Sequence, residues 1–331
     1  MLSIIIPAYN AEKTIERVLS AIFSQTCKQG FEVIVVDDCS KDKTAELAGK
    51  FPVQLIKLKQ NSGAGRARNQ GAKVARGDVL VFVDADVILL PSTLEQIENF
   101  FQTHLDYAGL VGNYTYLSYD QNVCSMYHNL FTVYHHELSG DDIEWFWGAL
   151  SAIRKEVFDK LGGFREDYYG ASAEDIEFGY RLAENGYKIR YLKDLRGVHA
   201  HHFSLRSMLY NDFRKAILGV KLYLLRKPRG AHPHGFSSPI NGANILLTYL
   251  FWISFLALIF QGSASIFWVM LIFFLINLRF YRFIFQKVGA IYLFYSLPLH
   301  LFSFNAIAVG VIFGMIGILA GRGLESRSRW I

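Results

Sequence analysis

One stretch of the sequence, Val79-Leu80-Val81-Phe82-Val83-Asp84-Ala85-Asp86, indicates the fold. Its first five residues are apolar, and a short continuous apolar run is typical of a strand buried on both faces of a sheet. Two aspartates follow, one residue apart. Both carboxylates can face one cleft once the strand has ended. The stretch therefore predicts a buried strand that carries two acids to one edge of a sheet.

Two earlier apolar runs also end in polar residues. Leu2–Ile6 precedes Pro7-Ala8-Tyr9-Asn10, and Phe31–Val36 precedes Asp37-Asp38. Apolar residues at helical spacing separate these runs. The alternation predicts an α/β fold, a Rossmann-like, mainly parallel mixed sheet with helices on both faces. Ligands bind beyond the carboxyl ends of such strands, so the three polar ends should meet in one crevice.

The remainder of the N-terminal part has weaker patterns. Ser92-x-x-Glu95 has the spacing of a capping box and predicts a helix through about Phe101. After Tyr107 the pattern loosens. Further strands are predicted at 53–58, 148–153 and 187–192, and further helices at 65–75, 173–185 and 204–225.

The composition changes sharply along the chain. Of the 331 residues, 52% are hydrophobic and 19% are charged, yet between Asn241 and Gly321 the only charged residues are Arg279, Arg282 and Lys287. Such a stretch suits a lipid environment better than a buried helical subdomain, which is the alternative. The predicted organisation is a catalytic domain at 1–225, a linker at 226–240, membrane-associated helices within 241–321 and a basic tail at 322–331. The apolar segments lie at about 243–260, 264–284 and 299–320.

The side of the membrane follows from weaker signals. The three cysteines form no C-x-x-C pair, which suits a reducing compartment. Met1 opens an apolar run without a basic leader, so the catalytic part is expected in the cytoplasm, attached to the cell membrane. Three spans would place the basic tail outside, against the positive-inside tendency. Either one segment is interfacial or re-entrant, or the tail charges do not decide the topology. Ala290–Leu297, ended by Pro298, could be an interfacial helix.

The acidic residues at the strand ends suggest metal and nucleotide chemistry. Asp84 and Asp86 offer hard oxygen ligands for Mg²⁺ or Mn²⁺, which neutralises a diphosphate leaving group. Asp38 could accept hydrogen bonds from a ribose or a base, although this position could also serve the start of the next helix. Arg66 and Arg68 could meet phosphate.

Other candidates lie further along the chain. Asp175, beside Glu174, could deprotonate an acceptor hydroxyl, or the two acids could only cap a helix. Strand alternation places His199 and His201 on one face, where either could ligate the metal. Two tryptophans, Trp145 and Trp147, could stack on a sugar or belong to the core.

Taken together, these motifs resemble those of family 2 glycosyltransferases of the GT-A fold. The resemblance covers about residues 2–205, and the order of its motifs is specific. The apolar tail is similar to that of some membrane-bound members. The matching elements are Ile4-Ile5-Ile6-Pro7-Ala8-Tyr9-Asn10, Val35-Val36-Asp37-Asp38-Cys39-Ser40, Asn61-x-Gly63-x-x-x-Ala67-Arg68-Asn69-x-Gly71, Asp84-x-Asp86, Gly162-Gly163-Phe164 and Glu174-Asp175.

The resemblance implies a role for each candidate. Asp86 would be the main metal ligand, completed by His199 or His201, with Asp84 close to the ribose or the metal. Asp175 would be the general base of an inverting displacement. By the same resemblance, Pro7, Tyr9 and Asp38 would hold the nucleoside, Arg66 or Arg68 would lie near the base or diphosphate, and Glu174 would bind the acceptor. Trp147 is a further candidate for contact with the acceptor.

The implied donor is a UDP- or GDP-sugar, and the implied acceptor is lipid-linked or a polysaccharide. Membrane lipids are expected partners, whereas the net charge of +5 comes with no nucleic-acid motif. Arg329-Trp330 has Ser326, not Gln, three residues ahead of the arginine, so the motif of processive synthases is not matched and single-sugar transfer is expected. A non-catalytic assembly subunit and a nucleotidyltransferase are the alternatives. The latter usually has a Gly-rich basic loop where this chain has Pro7-Ala8-Tyr9-Asn10.

Overall fold

A computed structural model describes residues 1–166, 174–226 and 238–321. The segments 167–173, 227–237 and 322–331 lie outside the described residues, and with them most of the predicted linker and the basic tail. Within the described part, the strands are β1 Leu2–Ala8, β2 Phe31–Asp37, β3 Gln54–Lys57, β4 Val79–Val83, β5 Val87–Leu89, β6 Tyr107–Tyr114, β7 Asp142–Ile143, β8 Leu150–Arg154 and β9 Lys188–His199.

The helices of the N-terminal part flank these strands. They are α1 Ile15–Phe23, α2 Thr44–Ala48, α3 Ala64–Val74, α4 Thr93–Thr103, α5 Val123–Glu137, α6 Lys155–Lys160, α7 Glu174–Glu184 and α8 Leu205–Arg226. Four more helices follow in the apolar part: α9 Pro239–Gln261, α10 Ser265–Ile276, α11 Leu278–Val288 and α12 Ala290–Leu319.

One sheet organises the N-terminal part. Its strand order is β3-β2-β1-β4-β8-β6-β9-β5, with β7 paired to β9. β1 lies parallel to β2 and β4, whereas β8 runs antiparallel between β4 and β6. The predicted mainly parallel mixed sheet is therefore confirmed, and the carboxyl ends of β1, β2 and β4 share one edge.

The sheet is covered on both faces, as predicted. Side chains alternate along β1, so Ile4 and Ile6 pack in one core cluster while Ile5 packs in the other. All three side chains are fully buried. Complete burial of one such side chain contributes about 1.5–3 kcal/mol, so the two clusters together fix the strand edge on which the polar loops stand.

Three local predictions were wrong. The part after Tyr107 is regular, because it contains β6 and α5. The strand predicted to end at Leu192 continues to His199, through a part where its pairing with β6 shifts register. Ser92 takes a left-handed conformation with φ 67°, and its side chain caps no described backbone group, so the capping box does not form. The helix starts instead where Leu94 and Ile97 begin to pack on the core.

Within the described residues of the apolar part, two helices are long and apolar enough to cross a membrane, α9 and α12. A third crossing is possible only if α10 and α11 count together, and these are bent by 56° at their junction. Pro298 lies inside α12, so the prediction of an interfacial helix ended by this proline was wrong. Ser296 and Leu299 are buried on either side of Pro298, and this packing offsets the lost backbone hydrogen bond.

The two parts of the chain are packed against each other. α8 lies along α12, and a Cβ added to Gly310 would come within 2.5 Å of the carbonyl oxygen of Phe213. On the other side, Tyr127 of α5 shares a core cluster with Phe280 of α11 and Leu299 of α12. The N-terminal and apolar parts thus share an extensive apolar interface through α5 and α8.

Candidate functional site

A large cleft lies at the carboxyl ends of β1 and β4. Its volume is about 850 Å³, within the range of roughly 300–1,000 Å³ found for small-molecule sites. The predicted crevice is thus present, and α5, α7, α8 and the residues after β9 complete its walls. Of the predicted site residues, its lining includes Pro7, Tyr9, Arg68, Asp84, Asp86, Trp147, Glu174, Asp175, His199 and His201.

Asp86 and two histidines meet on one side of this cleft. β5 pairs antiparallel with β9, so that Val87 stands opposite His199. Asp86 Oδ2 then lies 3.2 Å from His201 Nδ1 and 3.9 Å from His199 Nε2. Burial lowers the pKa of His199 to about 4, so its imidazole is neutral at neutral pH. A neutral imidazole beside a carboxylate is a suitable pair of metal ligands.

The donor set fits a divalent metal that shares its coordination with a ligand. Burial opposes ionisation of Asp86, yet the hydrogen bond with His201 lowers the pKa of this carboxyl. Within the described ranges, no group of three acidic, histidine or cysteine side chains is already arranged around one metal position. Mg²⁺ and Mn²⁺ commonly take one or two carboxylates and fill the other positions with phosphate oxygens and water. Asp86 with His199 or His201 matches that pattern.

Asp84 has a different environment from Asp86. Arg68 donates from Nη2 to Asp84 Oδ1 at 2.7 Å, and from Nη1 to Glu174 Oε1 at 3.0 Å. The guanidinium is almost fully buried. Gly148 makes room for it, since a Cβ there would lie 2.4 Å from the guanidinium carbon. Arg68 therefore pairs with two acids inside the cleft wall and compensates part of their charge.

Asp175 stands at the first turn of α7, facing the cleft. Its Oδ2 accepts a hydrogen bond from the Gly148 N–H at 3.1 Å, and its Oδ1 accepts one from the Ile176 N–H at 2.8 Å. The carboxylate is buried but lines the cavity. It is thus both a helix-start acid and a cleft acid, so the two readings of this position do not exclude each other.

The nucleotide candidates separate into two groups. Pro7 and Tyr9 line the cleft, and Tyr9 is half exposed. Asp38 instead accepts hydrogen bonds from the N–H groups of Ser62 and Gly63, each at 2.8 Å, and so connects the loops after β2 and β3. Arg66 lies outside the cleft lining.

The aromatic candidates separate as well. Trp147 lines the cleft and contacts the ring of Tyr114 at 4.6 Å. Tyr114 stacks in turn on His199 at 4.2 Å. Trp145 is buried within the core cluster beneath β8. The wall next to the histidines is therefore built by Trp147 and Tyr114.

Several cleft residues were not identified from the sequence. His128 comes from α5, and Asn211 and Lys215 come from α8. Of these three residues, only Lys215 had a sequence signal: it is a basic residue within the predicted helix at 204–225. The position of α8 against the cleft depends on its packing with α12, which sequence periodicity does not reveal.

Comparison with known proteins finds similarity to glycosyltransferases. The family model described as glycosyl transferase family 2 matches residues 3–162, and the model of the N-terminal domain of galactosyltransferase matches residues 132–203. An uncharacterized glycosyltransferase of Haemophilus influenzae is 32% identical over 194 residues, which cover 56% of this chain and 62% of that protein. A validoxylamine A glucosyltransferase of Streptomyces hygroscopicus is 28% identical, covering 61% of this chain and 52% of its own length.

The fold has a solved counterpart. The structure of a mannosyltransferase from Pyrobaculum calidifontis, in complex with GDP-Man and Mn²⁺, superposes with a TM-score of 0.63 at 22% identity, covering 94% of this chain and 87% of that one. The chain spans between half and two thirds of the length of the curated relatives named above. Residues 3–162 match the glycosyl transferase family 2 model, and the sheet has the GT-A fold.

Proposed function

We propose that this chain transfers a sugar from a nucleotide-diphosphate-sugar to a lipid-linked or membrane-proximal acceptor hydroxyl, by a metal-dependent inverting displacement. One observation carries the proposal: Asp86 with its two histidines, and Asp175, line the same cleft at the carboxyl edge of the sheet. The first group offers metal ligands, and the second offers a base. The reaction needs both, the metal at the donor diphosphate and the base at the acceptor hydroxyl.

The proposed donor is inferred from the end of the cleft where the nucleotide would bind, which we call the nucleotide end. Pro7 and Tyr9 line this end, where Tyr9 offers an exposed ring to a nucleoside. The Pyrobaculum neighbour was solved with GDP-Man and Mn²⁺, and a Streptomyces relative is named as a glucosyltransferase. A hexose carried by UDP or GDP is therefore the proposed donor. Asp38 would act on it indirectly, by holding the loop that contains Ser62 and Gly63.

The proposed metal is Mn²⁺ or Mg²⁺, held by Asp86 with His199 or His201. When bound, it would supply positive charge to the diphosphate leaving group. Arg68 keeps Asp84 and Glu174 paired within the wall, so these acids add less uncompensated negative charge to the site. Asp84 would then lie beside the metal site without being its main ligand.

The proposed base is Asp175. Its two oxygens accept backbone hydrogen bonds from Gly148 and Ile176, so the carboxylate is held in one orientation. Each oxygen retains a further lone pair that can accept the proton of an acceptor hydroxyl. Attack of that hydroxyl on the face of the sugar opposite the leaving diphosphate would invert the anomeric centre. Trp147 and Glu174 would border the acceptor.

The membrane part of the proposal rests on α9 and α12. Large apolar side chains of the C-terminal part remain exposed, among them Trp252, Phe260, Phe267 and Trp268. A buried helical subdomain would cover such side chains, whereas a bilayer would solvate them. We propose that residues 1–225 form a cytoplasmic catalytic domain and that 241–321 attach it to the cell membrane.

Nucleotide binding by the full-length protein in detergent tests the metal site. Wild type is titrated with UDP and with GDP by calorimetry, in Mn²⁺ and in EDTA, and should bind one of them more tightly with Mn²⁺. Asp86→Ala should lose this metal dependence. Asp120→Ala is the matched control, because it also removes a carboxylate paired with a histidine, His202. His202 lines the cleft, whereas Asp120 does not. Equal metal dependence in wild type and Asp86→Ala would remove Asp86 from the proposal.

A transfer assay distinguishes the enzyme from a non-catalytic subunit. The purified protein in nanodiscs is incubated with radiolabelled UDP- and GDP-hexoses, Mn²⁺ and a total membrane lipid extract. The proposal predicts radiolabel in the organic phase. Nucleotide binding without transfer to lipid or glycan acceptors would favour a non-catalytic role.

A further inference from the structure

A second, smaller cavity adjoins the cleft beyond Asp175. Its volume is about 160 Å³, and it lies between α5, α7 and α8. Aromatic and aliphatic side chains form most of its wall, including Phe131, Trp145, Tyr180 and Leu222. The proposed function assigns no part of the donor or the acceptor to this cavity, which we call the aromatic chamber.

The boundary between cleft and chamber is formed by residues that line both. They are His128, Thr132, Trp147, Asp175 and Lys215. Pro7 and Tyr9, at the nucleotide end, line only the cleft. The proposed base therefore stands between the nucleotide end and the chamber, so a molecule in the chamber reaches Asp175 from the acceptor side.

Lys215 is the one lysine in this boundary. Among the residues that the structure describes, it has no hydrogen-bond partner and no carboxylate within 4 Å of its ammonium group. The acids whose charge acts on it are Asp212, Asp175, Asp84 and Asp86. Asp212 is one turn away on α8, but its Oδ2 accepts a hydrogen bond from Ser303 of α12 at 2.7 Å. The Lys215 ammonium thus faces the junction with its three donors available.

We propose that the aromatic chamber is an acceptor subsite and that Lys215 binds a phosphate group of an amphiphilic acceptor. The inference rests on the proposed function, because it assigns the acceptor end of the same site. A cation with available donors calls for an anion, and a phosphate ester supplies several acceptor oxygens. The apolar wall calls for a hydrocarbon portion beside that anion. A purely sugar acceptor could stack on the aromatic wall but would bring no anion to the cation.

A structural role for Lys215 makes a different prediction. If the lysine only compensates Asp212 and the cleft acids, its removal changes stability without discriminating between ligands. If it binds the acceptor phosphate, the loss is confined to acceptor ligands that carry a phosphate, and nucleotide binding is unaffected. Lys215→Met tests this, because it keeps a linear side chain against the aromatic wall. Arg214→Met is the matched control: it removes a charge from the neighbouring position of α8, which lines neither cavity.

The experiment uses full-length protein in phosphatidylcholine nanodiscs and follows tryptophan fluorescence, since Trp145 and Trp147 line the chamber. Three probes are titrated: dodecyl phosphate, dodecanol, and UDP or GDP with Mn²⁺. Wild type should prefer dodecyl phosphate to dodecanol. Lys215→Met should weaken dodecyl phosphate binding roughly tenfold, the usual effect of one charge-assisted hydrogen bond. Its binding of dodecanol and nucleotide should match that of Arg214→Met, and Lys215→Arg should recover the dodecyl phosphate affinity.

Three results would overturn the inference. The first is equal dodecyl phosphate affinity in Lys215→Met and Arg214→Met, and the second is no preference of wild type for dodecyl phosphate over dodecanol. The third is weaker nucleotide binding by Lys215→Met with unchanged dodecyl phosphate binding, which would place Lys215 at the donor diphosphate. Failure of wild type to bind either nucleotide with Mn²⁺ would instead count against the proposed function, so the two failures are distinguishable.

Discussion

Arg68 donates a 2.7 Å hydrogen bond to Asp84 from within the cleft wall, and Asp86, two residues later, faces His199 and His201 instead. The two acids of the Asp84-Ala85-Asp86 motif thus have different partners. One has its charge compensated by a buried guanidinium, and the other faces two imidazoles. This asymmetry supports Asp86 as the main metal ligand in the proposed mechanism.

Removing Arg68 should destabilise the fold as well as the site. Arg68→Ala removes the buried guanidinium that pairs with both Glu174 and Asp84. Loss of one partner of a buried ion pair typically costs about 3–5 kcal/mol. Thermal unfolding in detergent should show a clearly lower Tm. Arg66→Ala is the control, since its contact with Glu166 is 3.5 Å and solvent-exposed. Equal Tm values for the two variants would contradict a structural role for Arg68.

Asp175→Asn should separate chemistry from binding. The amide oxygen can still accept the hydrogen bond from Gly148, with the one from Ile176 lost, but the side chain cannot take a proton. General-base catalysis commonly contributes about 10²–10⁴-fold, so kcat should fall by at least roughly 100-fold while nucleotide affinity stays unchanged. Glu184→Gln, an exposed position at the far end of α7, should keep full activity. A variant at Asp175 with wild-type kcat would exclude it as the base.

Asp212 should make the folding stability of the protein depend on pH. Burial raises the pKa of this carboxyl to about 6, although Ser303 and Lys215 oppose the shift. Between the unfolded value near 4 and about 6, the native state holds more protons than the unfolded state. The Asp212 contribution to stability is therefore largest below pH 4, falls as pH rises through this window, and is constant above it.

Thermal unfolding from pH 4 to pH 7 checks this prediction. The Tm of Asp212→Asn should decline less than that of wild type between pH 4 and pH 6, because an amide does not titrate. Asp159→Asn, at an exposed position on α6, should follow the wild-type curve. Parallel curves for wild type and Asp212→Asn would show that Asp212 titrates at its ordinary pH.

Close packing of α8 on α12 can be tested at Gly314. A Cβ there would lie 2.2 Å from a methyl group of Val220 and 3.0 Å from the carbonyl oxygen of Ile217. Gly314→Ala should therefore lower stability by about 1–3 kcal/mol, the usual cost of overpacking. Gly242→Ala in α9 has no described atom within 4 Å of the new methyl, and should be neutral or stabilising by up to about 1 kcal/mol. A higher Tm for Gly314→Ala would contradict this packing.

The sheet and its acidic edge were predictable from the sequence because they depend on local patterns. Apolar runs such as Val79–Val83 form strands wherever both faces are covered, and the residues after them must lie at the strand ends. Asp84 and Asp86 were therefore predicted at the cleft from the strand pattern, whereas Asp175 was placed there only by the family resemblance. His199 and His201 followed from strand alternation.

The remainder depends on contacts that no local pattern encodes. β6 and α5 mix polar, aromatic and histidine residues, because α5 packs on the sheet on one side and on α11 and α12 on the other. Arg68 looked like a phosphate ligand, but its partner Glu174 is 106 residues away. Lys215 reaches the site only through the packing of α8 on α12. Pro298 was misread because buried neighbours hold the helix across it.

The glycines of α12 have a further consequence. Gly310 and Gly314 bring α8 and α12 nearly backbone to backbone, and α8 carries Lys215 at the junction of cleft and chamber. If α12 crosses the bilayer, the reaction centre keeps a fixed height above the lipid surface. Such an enzyme would select acceptors by their distance from the membrane. A hydroxyl presented at one height would react, and the same hydroxyl on a longer spacer would lie too far from the membrane to reach the site.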